Sequence, residues 1–500
     1  MTHQPQLPTS RRRREPRSGL PPATTVRPWG RRTGFSLPRH ITSTAHLGAL
    51  YPFSLQTGLG HDGVYLGTNR LTGGERFHWD LFTAYDNGLI QGPNAVISGA
   101  GAHGKSAIAK TYLYRATNLR TSGRPRFVAV IDPKGEWISL ARALGWTTLQ
   151  LEPGGTTRLN PLDVATTPTT PQPDITGLPP HDVPTDAALD FAVAQRASIA
   201  ATLLAITLGR PELTATELRI ITVAMRHLTI ATHATERPAP TLRDLLTLLA
   251  DPPASMAAAL DTTPADLLTS RRLLLDACAI LVEHDLRGMC DGATTLNLDW
   301  SQTPGLVVDL SALLVHRKAL RLVLTAVYGW LASLMYSQPD KHKLNILDEA
   351  WIALEDLAIV RYLQDQWRLG RQWGCGNLLI THAMADLQSQ THDGSAQNKI
   401  AAGLLNTTSV RIFLHQQPEN AHLLTDMGLN GTETALLEHL APFQALWKIG
   451  PHTALIDHHI APHEWHLANT DTAMRGNESS RVMGDAGLPL PSTLGLSGQN

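Results

Sequence analysis

The stretch Gly99-Ala-Gly-Ala-His-Gly-Lys-Ser106 decides how this chain is expected to fold. It fits the pattern G-x-x-x-x-G-K-[ST], in which a glycine-rich loop joins a strand to a helix. The sequence supplies both neighbours, because the apolar run Asn94–Ser98 precedes the loop and a helix-compatible run at 107–114 follows it. An ordinary glycine turn, the alternative, does not require this order of elements. We therefore predict a P-loop, the phosphate-binding loop of nucleoside triphosphatases.

The composition of this loop matches the chemistry of phosphate binding. Gly99, Gly101 and Gly104 let the backbone wrap closely around phosphates, so that N–H groups and a helix N-terminus point at the anion. Lys105 is predicted to contact the β- and γ-phosphates, and the Ser106 hydroxyl to hold Mg²⁺. The loop therefore predicts a nucleoside triphosphate and Mg²⁺ as cofactors.

A second candidate element is a pair of acidic residues after a short apolar strand. The strand is predicted at 343–347, and Asp348 and Glu349 follow it. Beside a P-loop, Asp348 is expected to hold Mg²⁺ through water, and Glu349 to take a proton from the attacking water. The alternative is that both carboxylates only stabilise a helix N-terminus. A base next to the metal ligand favours water as the nucleophile and disfavours a small-molecule kinase.

Polar residues around the next predicted strand are candidates for contact with the γ-phosphate. The strand at 376–380 leads to Thr381 and His382. His382 either donates a hydrogen bond to the phosphate or orients the water, or it is a structural residue, as a lone histidine more often is. Arg368 and Arg371 precede this strand. Each is either a solvated helix end or an arginine that acts on a neighbouring subunit's nucleotide. This strand and the strand before Asp348 are both expected to flank the P-loop within one subunit.

Apolar runs that alternate with helical stretches indicate the fold class. Continuous apolar runs at 127–131, 147–151 and 305–310 predict buried strands with helices between them. Such alternation is typical of a parallel α/β sheet. From Thr185 to about Met289, by contrast, Ala/Leu-rich periodicity predicts helices alone. An α/β sheet with an all-α insertion is the predicted architecture.

These patterns divide the chain into six predicted segments. They are a disordered basic arm at 1–46, the first part of the ATPase domain at 47–160, a Pro-rich surface linker at 161–184, an all-α insertion at 185–297, the second part of the ATPase domain at 298–468 and a disordered tail at 469–500. Residues 1–40 hold nine arginines against Glu15 alone, whereas the whole chain has a net charge of −1. DNA and anionic lipid fit such an arm, and a solvated tail without a partner is the alternative.

Composition also bears on the compartment. The 3 cysteines are far apart and form neither a disulfide framework nor a metal pattern, which suits a reducing cytoplasm. The uncharged apolar stretch 322–336 is shorter than the roughly 20 residues that span a bilayer. No transmembrane segment is therefore predicted, and the expected location is cytoplasmic or peripheral at the inner face of the membrane.

Taken together, the motifs resemble those of the HerA/FtsK superfamily. The ordered set comprises the P-loop, Asp-Pro-Lys-Gly-Glu at 132–136, Asp-Glu-Ala-Trp at 348–351, Arg-x-x-Gly at 371–374 and Thr-His at 381–382. Within the superfamily the set is similar to conjugative type IV secretion ATPases and to actinobacterial ATP-binding proteins of mobile elements. The resemblance covers about residues 50–468, and most relatives carry Gln where His382 stands.

The resemblance implies a RecA-like P-loop NTPase sheet with an all-α insertion, and ATP hydrolysis as the activity. It places the nucleotide and Mg²⁺ ligands at the P-loop and Asp348, the base at Glu349, a sensor at His382 and a trans-acting arginine at Arg371. Such proteins are typically hexameric motors that move DNA or protein through a membrane-embedded machine. The expected function is therefore a translocation motor of a conjugative system. A nucleotide-gated assembly or recruiting factor with negligible turnover is the alternative.

Overall fold

The computed structural model describes most of residues 59–468, with several gaps. The described residues are 59–164, 185–235, 239–296, 302–336, 340–354, 357–381, 403–404 and 407–468. The predicted arm at 1–46 and the predicted tail at 469–500 lie outside them.

The described strands form one sheet. They are β1 (Val64–Asn69), β2 (Glu75–Trp79), β3 (Asn94–Ser98), β4 (Arg126–Asp132), β5 (Thr147–Gln150), β6 (Gly305–Asp309), β7 (His342–Leu347), β8 (Cys375–Thr381), β9 (Val410–Phe413), β10 (Gln444–Ile449) and β11 (His452–His458). Their order across the sheet is β2-β1-β11-β10-β9-β3-β8-β7-β4-β6-β5. From β9 to β5 all neighbours are parallel, and the other four strands add antiparallel pairs. The predicted α/β class is confirmed.

Parallel pairing brings three important loops to one edge of the sheet. β3 lies between β8 and β9, and β7 lies between β8 and β4. Because these strands are parallel, their carboxyl ends meet at the same edge, as in other open α/β sheets. The P-loop follows β3 there, and Asp348 follows β7. β8 pairs with both β3 and β7 and separates them, so the strand before Asp348 is not a direct neighbour of the strand before the P-loop.

Helices precede, connect and follow these strands. They are α1 (Leu81–Asp86), α2 (Lys105–Ala116), α3 (Ile138–Leu144), α4 (Thr185–Thr207), α5 (Ala215–Ala234), α6 (Leu242–Ala250), α7 (Ala254–Ala259), α8 (Pro264–Ser270), α9 (Arg272–Ile280), α10 (Arg317–Tyr336), α11 (Ala350–Leu354), α12 (Leu357–Leu369), α13 (Ala421–Asp426), α14 (Gly431–Leu437) and α15 (Trp465–Ala468). Thr214 and Thr241 start α5 and α6 with capping boxes, in which side chain and backbone satisfy each other's donors. In the chain, helices α4 to α9 come between β5 and β6, which are the last two strands on one side of the sheet.

Two hydrophobic clusters cover the two faces of the sheet. Val96 belongs to one cluster, and its neighbours Ala95 and Ile97 belong to the other, as alternating strand side chains require. The cluster that contains Val96 continues into helices α4 to α9, for example at Leu203 and Leu274. The helical segment and one face of the sheet therefore share a single core.

The start of the predicted surface linker is part of this shared core. Leu162 and Val164 are 0% and 5% exposed and pack within it. Arg196 Nε also donates a hydrogen bond to the Leu162 carbonyl oxygen at 3.0 Å. The prediction that the surface linker begins at residue 161 is therefore wrong, because these apolar side chains are buried before the proline-rich stretch. Residues 165–184 lie outside the described residues.

One described helix, Ala187–Thr207, is long and apolar enough to cross a membrane by length and composition. Asp190 and Arg196 interrupt its sequence, so it contains no long uncharged run. Of the most apolar stretch of this helix, 50% is buried inside the protein. The charged residue Arg196 in the same helix is also buried, and it donates a hydrogen bond to Thr229 Oγ1 at 3.0 Å. A buried core helix meets the same test, so this helix is weak evidence for a membrane span.

A buried ion pair joins the start of α1 to β4. Asp80 caps α1 by accepting a hydrogen bond from the Thr83 N–H at 2.9 Å, and Arg126 Nη2 donates to the same carboxylate at 2.7 Å. The Tyr112 hydroxyl donates to its second oxygen at 2.8 Å. The side chains of Asp80 and Arg126 are only 0% and 4% exposed. Burial opposes ionisation of Asp80, but hydrogen bonds and the charge of Arg126 outweigh it and hold the pKa of Asp80 below its usual range.

Candidate active site

The P-loop is held tightly at its two ends and is open between them. A Cβ on Gly99 would lie 2.7 Å from the Leu414 Cβ, and a Cβ on Gly104 would lie 2.6 Å from the Phe443 ring. Gly104 also has a φ of 97°, in the left-handed region that favours glycine. The Cβ position of Gly101, by contrast, has no described atom within 4 Å. This shape leaves room over the middle of the loop for a bound phosphate chain.

Lys105 points its ammonium group back at the loop. Its Nζ donates to the carbonyl oxygens of Gly99 at 2.9 Å and Ala100 at 3.1 Å. Burial lowers the pKa of Lys105 to about 8, although the carboxylates of Glu349 and Asp348 oppose the shift. A phosphate would offer this group a charged acceptor, and charged acceptors form stronger hydrogen bonds than neutral carbonyls. The residue therefore fits a triphosphate.

Ser106 and Asp348 come together from the ends of different strands. Ser106 Oγ donates to Asp348 Oδ2 at 3.4 Å, and Trp137 Nε1 donates to the same oxygen at 2.7 Å. Burial raises the pKa of Asp348, and the hydrogen bond from Trp137 opposes this. A hydroxyl and a carboxylate beside a phosphate site are the hard oxygen ligands that Mg²⁺ prefers. These residues therefore fit the predicted metal.

Glu349 is buried next to this pair, and its carboxylate is oriented by two other residues. Its backbone has a φ of 54°, which is uncommon for a residue with a side chain. Trp351 Nε1 donates to Glu349 Oε2 at 2.7 Å, and Lys134 Nζ forms an ion pair with Oε1. The strained backbone and these contacts define one orientation of the carboxylate, and such strain is often found at functional sites.

The loop after β4, residues 132–136, supplies the lysine of this ion pair. Asp132 shapes the loop by accepting from the N–H groups of Lys134 at 3.2 Å, Gly135 at 2.9 Å and Trp137 at 2.8 Å. Burial raises the pKa of Asp132 to about 6, although the hydrogen bond from Trp137 opposes it. Sequence reasoning assigned no role to Lys134 or Trp137. Both residues follow a strand that was predicted to be buried and parallel, as Asp348 does, and this position could have indicated that they lie near the site.

The other predicted site residues are not in this cluster. Arg371 is exposed at the amino end of β8, where its Nη1 donates to the Gln91 carbonyl oxygen at 3.2 Å. This is the edge of the sheet opposite the P-loop. Arg368, the other candidate for a trans-acting arginine, is exposed in the last turn of α12. His382 lies outside the described residues, but β8 ends immediately before it, paired with the last residue of β3.

The segment after β9 contributes residues that the sequence did not indicate. Gln416 is buried, and its Nε2 donates to Ser98 Oγ at 3.3 Å, at the base of the P-loop. The ring of His415 stacks on that of His103 in the P-loop, with centroids 4.5 Å apart. In the sequence, His415 and Gln416 only follow a short apolar run. Such a run does not indicate which other strand it pairs with.

Comparison with known proteins supports the fold. VirB4 of Thermoanaerobacter pseudethanolicus is similar to this chain, with a TM-score of 0.61, 19% sequence identity, and coverage of 82% of this chain and 100% of that one. The plasmid coupling protein TrwB in complex with ADP and Mg²⁺ has a TM-score of 0.46, 15% identity, and coverage of 74% and 86%. No protein-family model and no curated protein matches the chain. The predicted P-loop NTPase fold is confirmed by the similarity to VirB4.

Proposed function

We propose that this chain is an ATP-hydrolysing motor subunit that drives transfer of DNA or protein in a conjugative, type IV secretion-like system. One observation carries the proposal: the ends of β3 and β7 bring Lys105, Ser106, Asp348 and Glu349 to one place. A phosphate-binding cation, two metal ligands and a carboxylate base are the groups that hydrolysis of a nucleoside triphosphate requires.

Each of these residues has a separate task in the proposed reaction. Lys105 binds the β- and γ-phosphates, and Ser106 and Asp348 hold Mg²⁺. When bound, Mg²⁺ neutralises charge that develops on the phosphate oxygens. Glu349 accepts a proton from the attacking water, which turns the water into a better nucleophile. Gln416 and Asp132 keep the two loops in shape by hydrogen bonds.

The proposed assembly is a homo-hexamer that meets membrane-embedded secretion components through protein contacts. In this proposal the chain is cytoplasmic or peripheral at the inner face of the membrane. The arginine-rich segment 1–40 would contact DNA or anionic lipid, because its positive charge matches theirs.

Steady-state release of phosphate from ATP, with and without single- or double-stranded DNA, tests the proposal. Turnover that rises with DNA supports a motor.

The second candidate is a nucleotide-gated assembly or recruiting factor. The contact of Glu349 with Lys134 and Trp351 favours it, because a base held in this way is not free to act. Tight ATP binding without turnover under every condition would select that candidate.

Replacement Lys105→Ala is expected to weaken ATP binding about 10- to 100-fold, because it removes a charged donor to the phosphates. In the wild type, affinity should be constant below pH 8 and fall by up to about tenfold per pH unit above it, since ATP favours the charged form of a lysine whose pKa is about 8. The variant should lack this dependence. Titration with a fluorescent ATP analogue between pH 7 and 9.5 measures both effects. Equal ATP affinities of the wild type and Lys105→Ala would contradict the role of Lys105 as a phosphate ligand. Lys318→Ala is the control.

Arg371 is proposed to act on the nucleotide of a neighbouring subunit. The 5 residues of β3 separate it from its own P-loop, about 16 Å at roughly 3.3 Å per residue, so it cannot reach that site. Arg371→Ala should keep ATP affinity and lose most turnover, at least about tenfold. Mixing it with Lys105→Ala should restore activity, because mixed rings contain some complete sites. Arg219→Ala, which removes an exposed arginine from α5, is the control, and Arg368→Ala tests the other candidate arginine. Normal turnover of Arg371→Ala, or no rescue in demonstrated mixed rings, would contradict the role.

A further inference from the structure

We propose that Lys134 leaves Glu349 for the γ-phosphate when ATP binds, and so couples recognition of ATP over ADP to release of the catalytic base. This inference rests on the proposed function, since it concerns the same site. It assigns Lys134 a second contact with the γ-phosphate, in addition to that of Lys105.

The starting point is the ion pair between Lys134 and Glu349. Lys134 Nζ pairs with Glu349 Oε1, while Trp351 holds Oε2. A carboxylate whose oxygen is paired with an ammonium group has less electron density to offer a water proton. In the described arrangement Glu349 is therefore a weaker base than a catalytic carboxylate should be.

The surroundings show where the ammonium group can go. Lys134 Nζ pairs with Glu349, and the neighbouring Asp348 accepts a hydrogen bond from Ser106 at the start of the P-loop helix, so Lys134 borders the volume between these carboxylates and the P-loop. Lys105 marks the phosphate side of that volume, because it extends from the P-loop. A γ-phosphate there carries more negative charge than one carboxylate and accepts several hydrogen bonds, so it would compete with Glu349 for Lys134.

The structure also allows Lys134 to move while its backbone stays in place. Asp132 fixes the backbone N–H of Lys134, so the start of the side chain is positioned. The side chain itself is 36% exposed, whereas that of Glu349 is only 7% exposed and is held by Trp351. The lysine is thus the mobile partner, and its four-carbon stem can redirect the ammonium group without a change in the loop.

Measured affinities for ATP and ADP distinguish this role from a structural one. Lys134→Gln should bind ADP within about twofold of the wild type and ATP about 10- to 100-fold more weakly, since only ATP has the γ-phosphate. Turnover should fall by a similar factor. Lys134→Arg should recover part of both, because arginine also pairs with carboxylate and phosphate. Lys318→Gln, which removes a lysine paired with Asp285 elsewhere, is the control and should change neither affinity.

A second variant tests the exchange itself. In Glu349→Gln, Lys134 no longer has to leave a carboxylate, so ATP should bind more tightly than to the wild type while ADP affinity stays the same. The double variant Lys134→Gln/Glu349→Gln should lose that gain. Equal losses of ATP and ADP affinity in Lys134→Gln, or turnover above that of the wild type, would overturn the inference. Failure of the wild type to bind ATP at all would instead refute the proposed function.

Discussion

Replacement Glu349→Gln is expected to slow ATP hydrolysis at least about 10²-fold, the usual contribution of a general base, while ATP binding is retained. Glutamine has nearly the same shape and still accepts the hydrogen bond from Trp351, but it cannot take a proton. Single-turnover release of phosphate from preformed enzyme–ATP complexes measures the chemical step directly.

Two comparisons make this expectation specific. Glu152→Gln removes the same charge from an exposed position and should leave turnover unchanged. Glu349→Asp retains the carboxylate but moves it back by one methylene, so it should fall between the wild type and Glu349→Gln. Near wild-type turnover in Glu349→Gln would show that another residue activates the water.

Replacement Arg126→Met is expected to lower the free energy of unfolding by about 3–5 kcal/mol, the range observed when one partner of a buried ion pair is removed. The carboxylate of Asp80 would keep its hydrogen bonds from Thr83 and Tyr112 but lose its counter-charge inside the protein. Urea unfolding followed by circular dichroism measures the change.

The pH dependence identifies the cause of this loss. In the wild type, the lowered pKa of Asp80 contributes stability that is present above the pKa of the unfolded state and is lost as the pH falls through the folded value. Without Arg126, burial would raise the pKa of Asp80, so the buried acid would become neutral at mildly acidic pH and the variant's deficit should shrink there. The exposed Arg124→Met should cost less than about 0.5 kcal/mol. A deficit independent of pH would indicate lost packing instead.

The features that the sequence predicted correctly depend on neighbours along the chain. The strand at 94–98 and the helix after the glycine-rich loop follow from neighbouring residues, and the α/β class follows from alternating apolar and helical runs. The predicted roles of Asp348 and Glu349 stay predictions, but the structure places both beside the P-loop because β7 is parallel to its neighbours.

The features that were missed depend on contacts between distant residues. Trp137 and Asp348 are 211 positions apart, and no local pattern indicates that their side chains meet. The place of β8 between β3 and β7 likewise depends on which buried strands pair, and all of them are similarly apolar. Leu162 was assigned to a surface linker because prolines follow it, whereas its burial depends on helices that come later in the chain.

The core that the helical segment shares with one face of the sheet has a mechanical consequence. Close-packed interiors compress little and transmit strain. A small shift of β6 or of the strands beside it, such as a change at the phosphate site would produce, cannot be absorbed within such a core. The displacement is therefore transmitted to helices α4 to α9, which would rotate together as a rigid body. The ends of those helices that lie farthest from the sheet would then move further than the strands themselves.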